Sequence, residues 1–272
     1  MEKGREKDDA WKRQLLKEVR LFVLDMDGTF YLGDQLIEGS LEFIDKVKET
    51  GRDFIFFTNN ASRIGSFYKT KLAKMGMDSE NVTVLTAGDV TIEYLKTFHP
   101  GKRVYLNGTP LLEQSFLEAG IQLVVDDPDV VIQSFDKTLT YEKLERICNY
   151  IRKGVPFLAT HMDTNCPTED GFIPDCGAMC DLIISSTGVN PKFLGKPCKE
   201  TLDMVLKKTG CSVDEIAFVG DRIYTDVATG VNNGAKGFLV LTGEADMKTV
   251  EESDVVPTCI FDSLYEMSSY LS

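Results

Sequence analysis

Short β-rich runs alternate with helical patterns along this chain of 272 residues. One helical pattern covers residues 40–50, with Ser40 as its expected N-cap, and another begins at Thr140 and stops at Gly154. The alternation predicts an α/β fold with a Rossmann-like, doubly wound parallel sheet and helices on both faces. The predicted strands cover residues 20–24, 54–58, 104–106, 121–125, 130–134, 155–160, 216–220 and 237–241.

Composition and charge exclude several classes of protein. Apolar residues make up 43% of the chain and charged residues 27%, which is typical of a globular protein and not of a disordered or membrane-spanning one. The chain has 43 acidic and 30 basic residues, and its net charge of −13 disfavours nucleic acid polymers and membranes as partners. Residues 1–19 are charged throughout, without the apolar core of a secretory signal, so we expect a cytoplasmic protein.

The seven cysteines favour free thiols. Their number is odd and they are scattered over half of the chain, which fits a reducing compartment better than a disulfide framework. His161, Cys166, Cys176 and Cys180 lie close in sequence, but their spacing does not match that of a structural zinc site.

Three predicted strands end in polar clusters. In open α/β sheets the ligand crevice lies at the carboxyl ends of the strands, so these clusters point to one place. Any one of them alone is more typical of a helix cap or a turn than of a functional site, and only their conjunction indicates function. The side chains concerned are Asp25 and Asp27 after the first strand, Thr58, Asn59 and Asn60 after the second, and Asp221 and Asp226 after the strand at 216–220.

The acidic side chains of these clusters indicate a metal site. Several carboxylates in a small volume raise one another's pKa values unless a cation neutralises them. Oxygen ligands, with room left for water and phosphate, suit Mg²⁺ better than Ca²⁺, and the chain lacks the glutamate that closes a calcium loop. Such a site predicts phosphoryl chemistry, in which a carboxylate attacks phosphorus to form an aspartyl-phosphate.

Four segments together resemble the haloacid dehalogenase superfamily of phosphatases. They are similar, more narrowly, to its subfamily IIA, which contains 4-nitrophenylphosphatase-like, nucleotide and pyridoxal phosphate phosphatases. The likeness runs from about residue 19 to the C-terminus. The segments are DMDGTFYLGDQLIEG, FFTNNAS, STGVNPKFLGKP and VGDRIYTDVATG, which contain in order Asp25 to Asp27, Thr58 to Asn60, Lys196, and Asp221 to Asp226.

The resemblance implies a role for each matching residue. Asp25 matches the nucleophile, and Asp27 matches the acid/base that protonates the leaving oxygen and then deprotonates the attacking water. The family binds Mg²⁺ through the positions of Asp25, the carbonyl of Asp27 and Asp221, and Asp226 would act from behind these ligands. Thr58, the backbone amide of Asn59, neighbouring Asn60, and Lys196 are the expected phosphate-binding groups.

About 100 residues between Thr58 and Lys196 exceed what the core sheet needs. The resemblance implies that this surplus is a large inserted α/β cap domain, which closes over the catalytic crevice. We place the cap at residues 86–187 and the core at 1–85 plus 188–272. Within the cap, residues 163–177 are the expected substrate-facing loop, and His161 and Asp175 are expected leaving-group contacts.

The sequence therefore predicts a Mg²⁺-dependent phosphomonoesterase acting on a small phosphorylated metabolite, such as a nucleotide, a sugar phosphate or pyridoxal phosphate. One alternative is a phosphotransferase or mutase of the same superfamily. The other is a non-enzymatic regulatory protein in which a phosphorylated aspartate is the signal. The resemblance also makes a homodimer through the cap plausible.

Overall fold

A computed structural model describes residues 8–168 and 171–272 of the chain. Its strands are β1 Leu21–Leu24, β2 Tyr31–Leu32, β3 Gln35–Leu36, β4 Asp53–Thr58, β5 Val84–Thr86, β6 Arg103–Asn107, β7 Gln122–Leu123, β8 Val130–Gln133, β9 Phe157–Ala159, β10 Asn165–Thr168, β11 Gly171–Pro174, β12 Lys192–Phe193, β13 Ile216–Gly220, β14 Lys236–Val240 and β15 Cys259–Phe261.

Helices follow most of the strands. They are α1 Asp9–Lys17, α2 Ser40–Glu49, α3 Gly65–Lys74, α4 Ala87–Phe98, α5 Pro110–Glu118, α6 Tyr141–Arg152, α7 Cys176–Thr187, α8 Lys199–Thr209, α9 Ala228–Asn232, α10 Met247–Glu252 and α11 Leu264–Ser268. A 3₁₀ turn covers Val213–Glu215 and a π-helical turn covers Ile223–Val227. No helix in the described part of the chain is long and apolar enough to cross a membrane.

The chain divides into two compact units. The first contains the residues up to Phe57, Lys69–Val84 and Thr201–Ser272, and the second contains Thr58–Tyr68 and Leu85–Glu200. The second unit therefore contains the whole of the segment 86–187. The exact boundaries of the cap domain stay a prediction.

A six-stranded sheet forms the core of the first unit, in the order β15-β14-β13-β1-β4-β5. β1 is a central strand, pairs in parallel with both β13 and β4, and has four buried apolar residues, as expected of a strand covered on both faces. From β1 the chain continues to β4 and β5 on one side, and later fills the other side with β13, β14 and β15. The carboxyl end of β1 is therefore the topological switch point of a doubly wound sheet, where such folds bind ligands.

The second unit has its own parallel sheet, in the order β12-β9-β8-β6-β7. A cluster of buried side chains, among them Val131, Phe135, Ile147 and Ile183, packs helices α6 and α7 onto it. β10 and β11 form a separate antiparallel hairpin. The α/β class, the Rossmann-like core and a second unit of α/β structure are thus as the sequence predicts.

Details of the sequence-based prediction were wrong at two places. Ser40 is not an N-cap but the first helical residue of α2, and its hydroxyl donates to the carbonyl oxygen of Phe30. The predicted loop at 163–177 contains the β10–β11 hairpin and the start of α7, although its residues Glu169 and Asp170 lie outside the described residues. Thr140, in contrast, is confirmed as the N-cap of α6, since its side chain accepts from the backbone N–H of Lys143.

Candidate active site

The chain turns sharply directly after β1. The backbone N–H of Asp25 still donates to Val219 on β13, at 2.8 Å, and so continues the sheet. The carbonyl of Met26 then accepts from Phe30 and Tyr31, and Gly28 has a φ of +86°, a conformation that side-chain-bearing residues rarely adopt. The apolar strand followed by this tight turn places two aspartates at the end of the central strand.

Three carboxylates of the first unit come together at this position. One oxygen each from Asp25, Asp221 and Asp226 lies within 4.8 Å of the others. Asp221 and Asp226 are buried, and Asp25 is half-buried. The structure thus brings together, in one unit, three of the four acids for which the sequence predicts metal-related roles, including Asp226, which the resemblance puts behind the ligands.

Close packing and hydrogen bonds hold Asp221 in one orientation. Its Oδ2 accepts from the backbone N–H of Glu244 at 2.7 Å, and its Oδ1 accepts from the hydroxyl of Thr29 at 3.2 Å. A Cβ atom at Gly28 or at Gly243 would lie 2.4 or 2.1 Å from Oδ2. The two glycines therefore leave just enough space for the carboxylate.

Asp226 is held in a similar way. It lies in the π-helical turn after β13, and its Oδ2 accepts from the backbone N–H of Arg222 at 3.2 Å. A Cβ atom at Gly220 would lie 2.2 Å from Cγ of Asp226. The sequence Gly220-Asp221 through Asp226 thus forms a compact turn that points both acids to the same place.

The electrostatics of the cluster indicate a site for a cation. Burial, followed by the charge of Asp25, raises the pKa of Asp221 from its ordinary 3.8 to about 6. Burial also raises the pKa of Asp27, with Asp25 adding to the increase and Lys71 opposing it. A divalent ion would relieve this repulsion, and three carboxylate oxygens form a donor set that suits a hard cation such as Mg²⁺. The residues present therefore fit the metal.

The residues after β4 belong to the second unit. Thr58 ends β4, and its Oγ1 accepts from the backbone N–H of Asn60 at 3.2 Å. Oδ1 of Asn60 accepts from both the backbone N–H and the hydroxyl of Ser62. The Asn59 side chain is buried and bonds the backbone of Lys196. Thr58 and Asn60 thus stabilise a turn through their own side chains.

His161 and Asp175 are buried and hydrogen-bonded to each other. Nε2 of His161 lies 2.9 Å from Oδ1 of Asp175, which also accepts from the backbone N–H of Cys176 and so caps α7. Burial lowers the pKa of His161, but the charges of Asp175, Cys176 and Asp163 outweigh this and raise it to about 9. Contact of either side chain with a leaving group stays a prediction.

Asp163 is a residue that the sequence analysis did not single out as functional. It is buried, and one of its oxygens lies within 4.8 Å of ligand atoms of His161 and Asp175. Its signal in the sequence is weak, because it lies four residues after the end of β9, whereas Asp25 directly follows β1. Among the described residues no cysteine belongs to such a metal-ligating group, and none of the seven cysteines forms a disulfide.

The switch point of this doubly wound sheet holds a cluster of carboxylates that could bind a metal ion, and a metal ion in such a position can offset the charge of a phosphoryl group. Comparison with known proteins is consistent with such chemistry. A family model described as "Haloacid dehalogenase-like hydrolase" matches residues 22–122, and a second model of haloacid dehalogenase-like hydrolases matches residues 193–267.

Curated and solved relatives extend over nearly the whole chain. The acid sugar phosphatase of Staphylococcus aureus strain MRSA252 is 34% identical over 252 residues, which are 92% of this chain and 97% of that protein. The crystal structure of 4-nitrophenylphosphatase from Thermotoga maritima has a TM-score of 0.91 and 42% identity, and covers 95% of this chain and 99% of its own.

A third relative is a glycerol phosphate phosphatase from Mycobacterium tuberculosis, solved in complex with magnesium. It has a TM-score of 0.85 and 27% identity, and the match covers 95% of this chain and 80% of that one. The chain belongs to the haloacid dehalogenase-like hydrolase family, and within it to the phosphatases.

Proposed function

We propose that this enzyme is a Mg²⁺-dependent phosphomonoesterase that hydrolyses a small phosphorylated metabolite through an aspartyl-phosphate on Asp25. The observation that carries the proposal is the cluster of Asp25, Asp221 and Asp226, whose oxygens lie within 4.8 Å of one another at the end of the central strand. Asp27, two residues after the nucleophile, has the raised pKa that an acid/base needs.

In the first half-reaction a carboxylate oxygen of Asp25 attacks phosphorus. The bond from phosphorus to the leaving oxygen breaks, and Asp27 donates its proton to that oxygen. Burial favours the neutral form of Asp27, so a proton is held there at a pH where an exposed aspartate would have lost it. The products of this step are the free alcohol, the aspartyl-phosphate and an ionised Asp27.

In the second half-reaction water attacks the same phosphorus atom. Asp27, now a carboxylate, accepts a proton from this water, and the bond from phosphorus to Asp25 breaks. Inorganic phosphate leaves, and both aspartates return to their starting protonation states. One water molecule is consumed for each ester bond cleaved.

The metal and three groups of the chain stabilise the charge of the phosphate. Mg²⁺ bound by Asp25, the backbone carbonyl of Asp27 and Asp221, with Asp226 beside them, would supply electrostatic stabilisation to the phosphoryl oxygens. Lys196 and Thr58, with the backbone amide of Asn59, are the proposed partners of the remaining oxygens. The ammonium group of Lys196 also gives this strongly acidic chain a local positive charge for an anionic substrate.

The relatives narrow the proposed substrate class. Their names refer to sugar phosphates, glycerol phosphate and 4-nitrophenyl phosphate. We therefore propose a phosphate monoester of a small polyol or sugar as the substrate, ahead of the nucleotides and pyridoxal phosphate considered from the sequence.

The test is a rapid-mixing assay with 4-nitrophenyl phosphate in Mg²⁺ buffer. The Asp27→Asn variant should release a burst of about one nitrophenolate per enzyme, because this good leaving group needs little protonation, and then turn over roughly 10²- to 10⁴-fold more slowly than the wild type. Asp25→Asn should give no burst, and EDTA should abolish turnover in the wild type. Turnover by the Asp25→Asn variant at the wild-type rate would refute the mechanism.

Labelling then separates hydrolysis from phosphoryl transfer. In ¹⁸O-water, hydrolysis places the label in the released inorganic phosphate, whereas a phosphotransferase or mutase passes the phosphoryl group to a second substrate without label. A stable acyl-phosphate with no release of phosphate would instead support the regulatory alternative.

A further inference from the structure

The side chain of Asn59 is fully occupied by hydrogen bonds within the second unit. Its Oδ1 accepts from the backbone N–H of Lys196 at 2.8 Å, and its Nδ2 donates to the carbonyl oxygen of the same residue at 3.1 Å. The second Nδ2 proton points to Oδ2 of Asp163 at 3.2 Å. The carboxamide thus pairs with Lys196 as a neighbouring β-strand would, and both protons of its amide group are in use.

Asp163 and the backbone of Lys196 require the same orientation of the Asn59 amide. A carboxylate only accepts hydrogen bonds, so its position requires that Nδ2, and not Oδ1, point towards it. That orientation leaves Oδ1 directed at the Lys196 N–H. Asp163 is itself buried among charged groups, with His161 and Asp175 beside it, and the raised pKa of His161 places an imidazolium there at neutral pH.

Gly195 lets these groups approach closely. Its backbone N–H donates to the carbonyl oxygen of Thr160 at 2.7 Å. A Cβ atom at Gly195 would lie 2.7 Å from Oδ1 of Asn59, 2.7 Å from the Thr160 oxygen and 3.0 Å from Cβ of His161. The backbone at 195–196 is therefore held by hydrogen bonds on two sides. Asn59 holds it on one side, and the segment that leads from β9 to the hairpin holds it on the other.

We propose that Asn59 and Asp163 are positioning residues, which fix the backbone of Lys196 and so set where its ammonium group meets the phosphate. This inference rests on the proposed function, in which Lys196 binds the phosphoryl oxygens. The backbone amide of Asn59 is a proposed phosphate ligand, and its side chain has this second, separate task. Ordering the four rotatable bonds of a lysine side chain already costs conformational entropy on binding. A backbone that is fixed beforehand adds nothing further to this cost.

The proposal links the phosphate lysine to the β10–β11 hairpin. Asp163 lies two residues before β10, and its carbonyl oxygen accepts from the backbone N–H of Gly177 at the start of α7 at 2.7 Å. Asp175 closes the same segment, since its N–H donates to Thr164 at 3.0 Å. A change at the base of the hairpin should therefore alter phosphate binding as well as the choice of leaving group.

The first experiment exchanges the hydrogen-bond donor and acceptor of the Asn59–Asp163 pair. In Asn59→Asp the new carboxylate faces that of Asp163 and cannot donate to Lys196, so kcat/KM should fall about 10²-fold, as for a catalytic group displaced by about 1 Å. The inhibition constant of inorganic phosphate should rise about tenfold. Adding Asp163→Asn restores a donor facing the new carboxylate, and the double variant should recover at least about tenfold of the lost kcat/KM.

The second experiment tests whether Asn59 acts through Lys196. Lys196→Ala should itself lower kcat/KM, and if it does not, the proposed function fails at Lys196 while the contacts of Asn59 remain. In the Lys196→Ala background, Asn59→Asp should cost no further activity, because the group that it positions is gone. The loss caused by Asn59→Asp should also be the same for substrates with good and poor leaving groups, since Lys196 acts on the phosphoryl oxygens.

The control is Asn107→Asp, a change at another buried asparagine of the same unit, whose Nδ2 donates to Oε1 of Gln133 at 3.1 Å. It should lower stability and leave the phosphate inhibition constant unchanged. If Asn59→Asp does not fold, Asp163→Ala should show a weaker effect of the same kind. Equal losses from Asn59→Asp with and without Lys196, or a double variant no better than Asn59→Asp, would overturn the proposal.

Discussion

Replacing Asp221 with asparagine should stabilise the metal-free enzyme while abolishing its activity. The carboxylate of Asp221 is buried next to Asp25, and its pKa is raised from 3.8 to about 6. Asparagine has the same shape, can accept from the Glu244 N–H through Oδ1, and can donate to the Thr29 hydroxyl through Nδ2. The substitution therefore removes the charge but keeps the packing.

The size of the effect follows from the difference in pKa. A shift of about two units corresponds to about 3 kcal/mol of destabilisation of the folded state when Asp221 is ionised. Because the folded pKa is the higher one, the folded state binds the proton more tightly. Below the unfolded pKa of 3.8, Asp221 is protonated in both states and does not affect stability. Its destabilising effect develops as the pH rises above 3.8 and is complete once the pH has passed the folded pKa of about 6.

The assay is urea and thermal unfolding in EDTA for the wild type and the Asp221→Asn variant. Near pH 7.5 the variant should be more stable by about 3 kcal/mol, or roughly 6–12 °C in Tm, and near pH 4.5 the advantage should shrink to about 1 kcal/mol. Adding Mg²⁺ should raise the Tm of the wild type far more than that of the variant. Asp254→Asn, which removes an exposed carboxylate of the same unit, is the control and should change little.

Two results would refute this reasoning. The first is a metal-free variant that is no more stable than the wild type near pH 7.5, since burial and Asp25 would then not strain the Asp221 carboxylate. The second is an advantage that is the same at both pH values, because an uncharged effect of the substitution, such as better packing, does not depend on pH.

Three further predictions follow from the first unit. Gly243→Ala should weaken activation by Mg²⁺ at least about tenfold, because the new methyl group would lie 2.1 Å from Oδ2 of Asp221; an unchanged Mg²⁺ titration of activity would contradict this. Lys12→Ala should destabilise the protein by about 1–2 kcal/mol in urea without changing kcat, because Nζ of this buried lysine lies 2.7 Å from Glu266 and over two aromatic rings. A lower kcat with unchanged stability would contradict this prediction. The alkaline limb of kcat/KM should fall more steeply for an alkyl phosphate than for 4-nitrophenyl phosphate, because Asp27 must stay protonated for the poorer leaving group; identical pH profiles would argue against that role.

The central sheet and its acidic cluster could be predicted because their signals are local. A short apolar run such as LFVL favours a buried strand, and a carboxylate directly after it lies at the carboxyl end of the sheet. The strand at Ile216–Gly220 and the acids that follow it repeat this pattern. Such positions can be placed at one edge of the sheet from the sequence, because the carboxyl ends of parallel strands lie at the same edge.

Other features depend on contacts that local sequence does not contain. The hairpin partner strands have two prolines and no alternation of apolar residues, so nothing in Asn165–Thr168 favours a strand until it is paired. Serine is a common N-cap residue, but the hydroxyl of Ser40 donates a hydrogen bond to the carbonyl oxygen of Phe30 instead. The partners of Asn59 lie 104 and 137 residues away in the chain, and only the folded structure shows that its amide is used up.

Two clusters in this molecule have the side chains of a metal site, and their electrostatics distinguish them. The group of His161, Asp163 and Asp175 contains its own cation, because the neighbouring acids raise the pKa of the imidazole to about 9 despite its burial. His161 also uses Nε2 in its bond to Asp175, so no nitrogen lone pair is left there for a metal while the ring is charged.

The three members of the group of Asp25, Asp221 and Asp226 are all acids. Burial and the charge of Asp25 raise the pKa of Asp221, and the charge of Arg222 opposes this increase. The two clusters thus have similar ligand sets but a different balance of charge. One contains a cation of its own and can hold Asn59 and the backbone of Lys196 in place, and the other is a group of acids that fits a bound cation. In the proposed function Mg²⁺ therefore binds only at the cluster of Asp25, Asp221 and Asp226, while the cluster of His161, Asp163 and Asp175 keeps Lys196 in position.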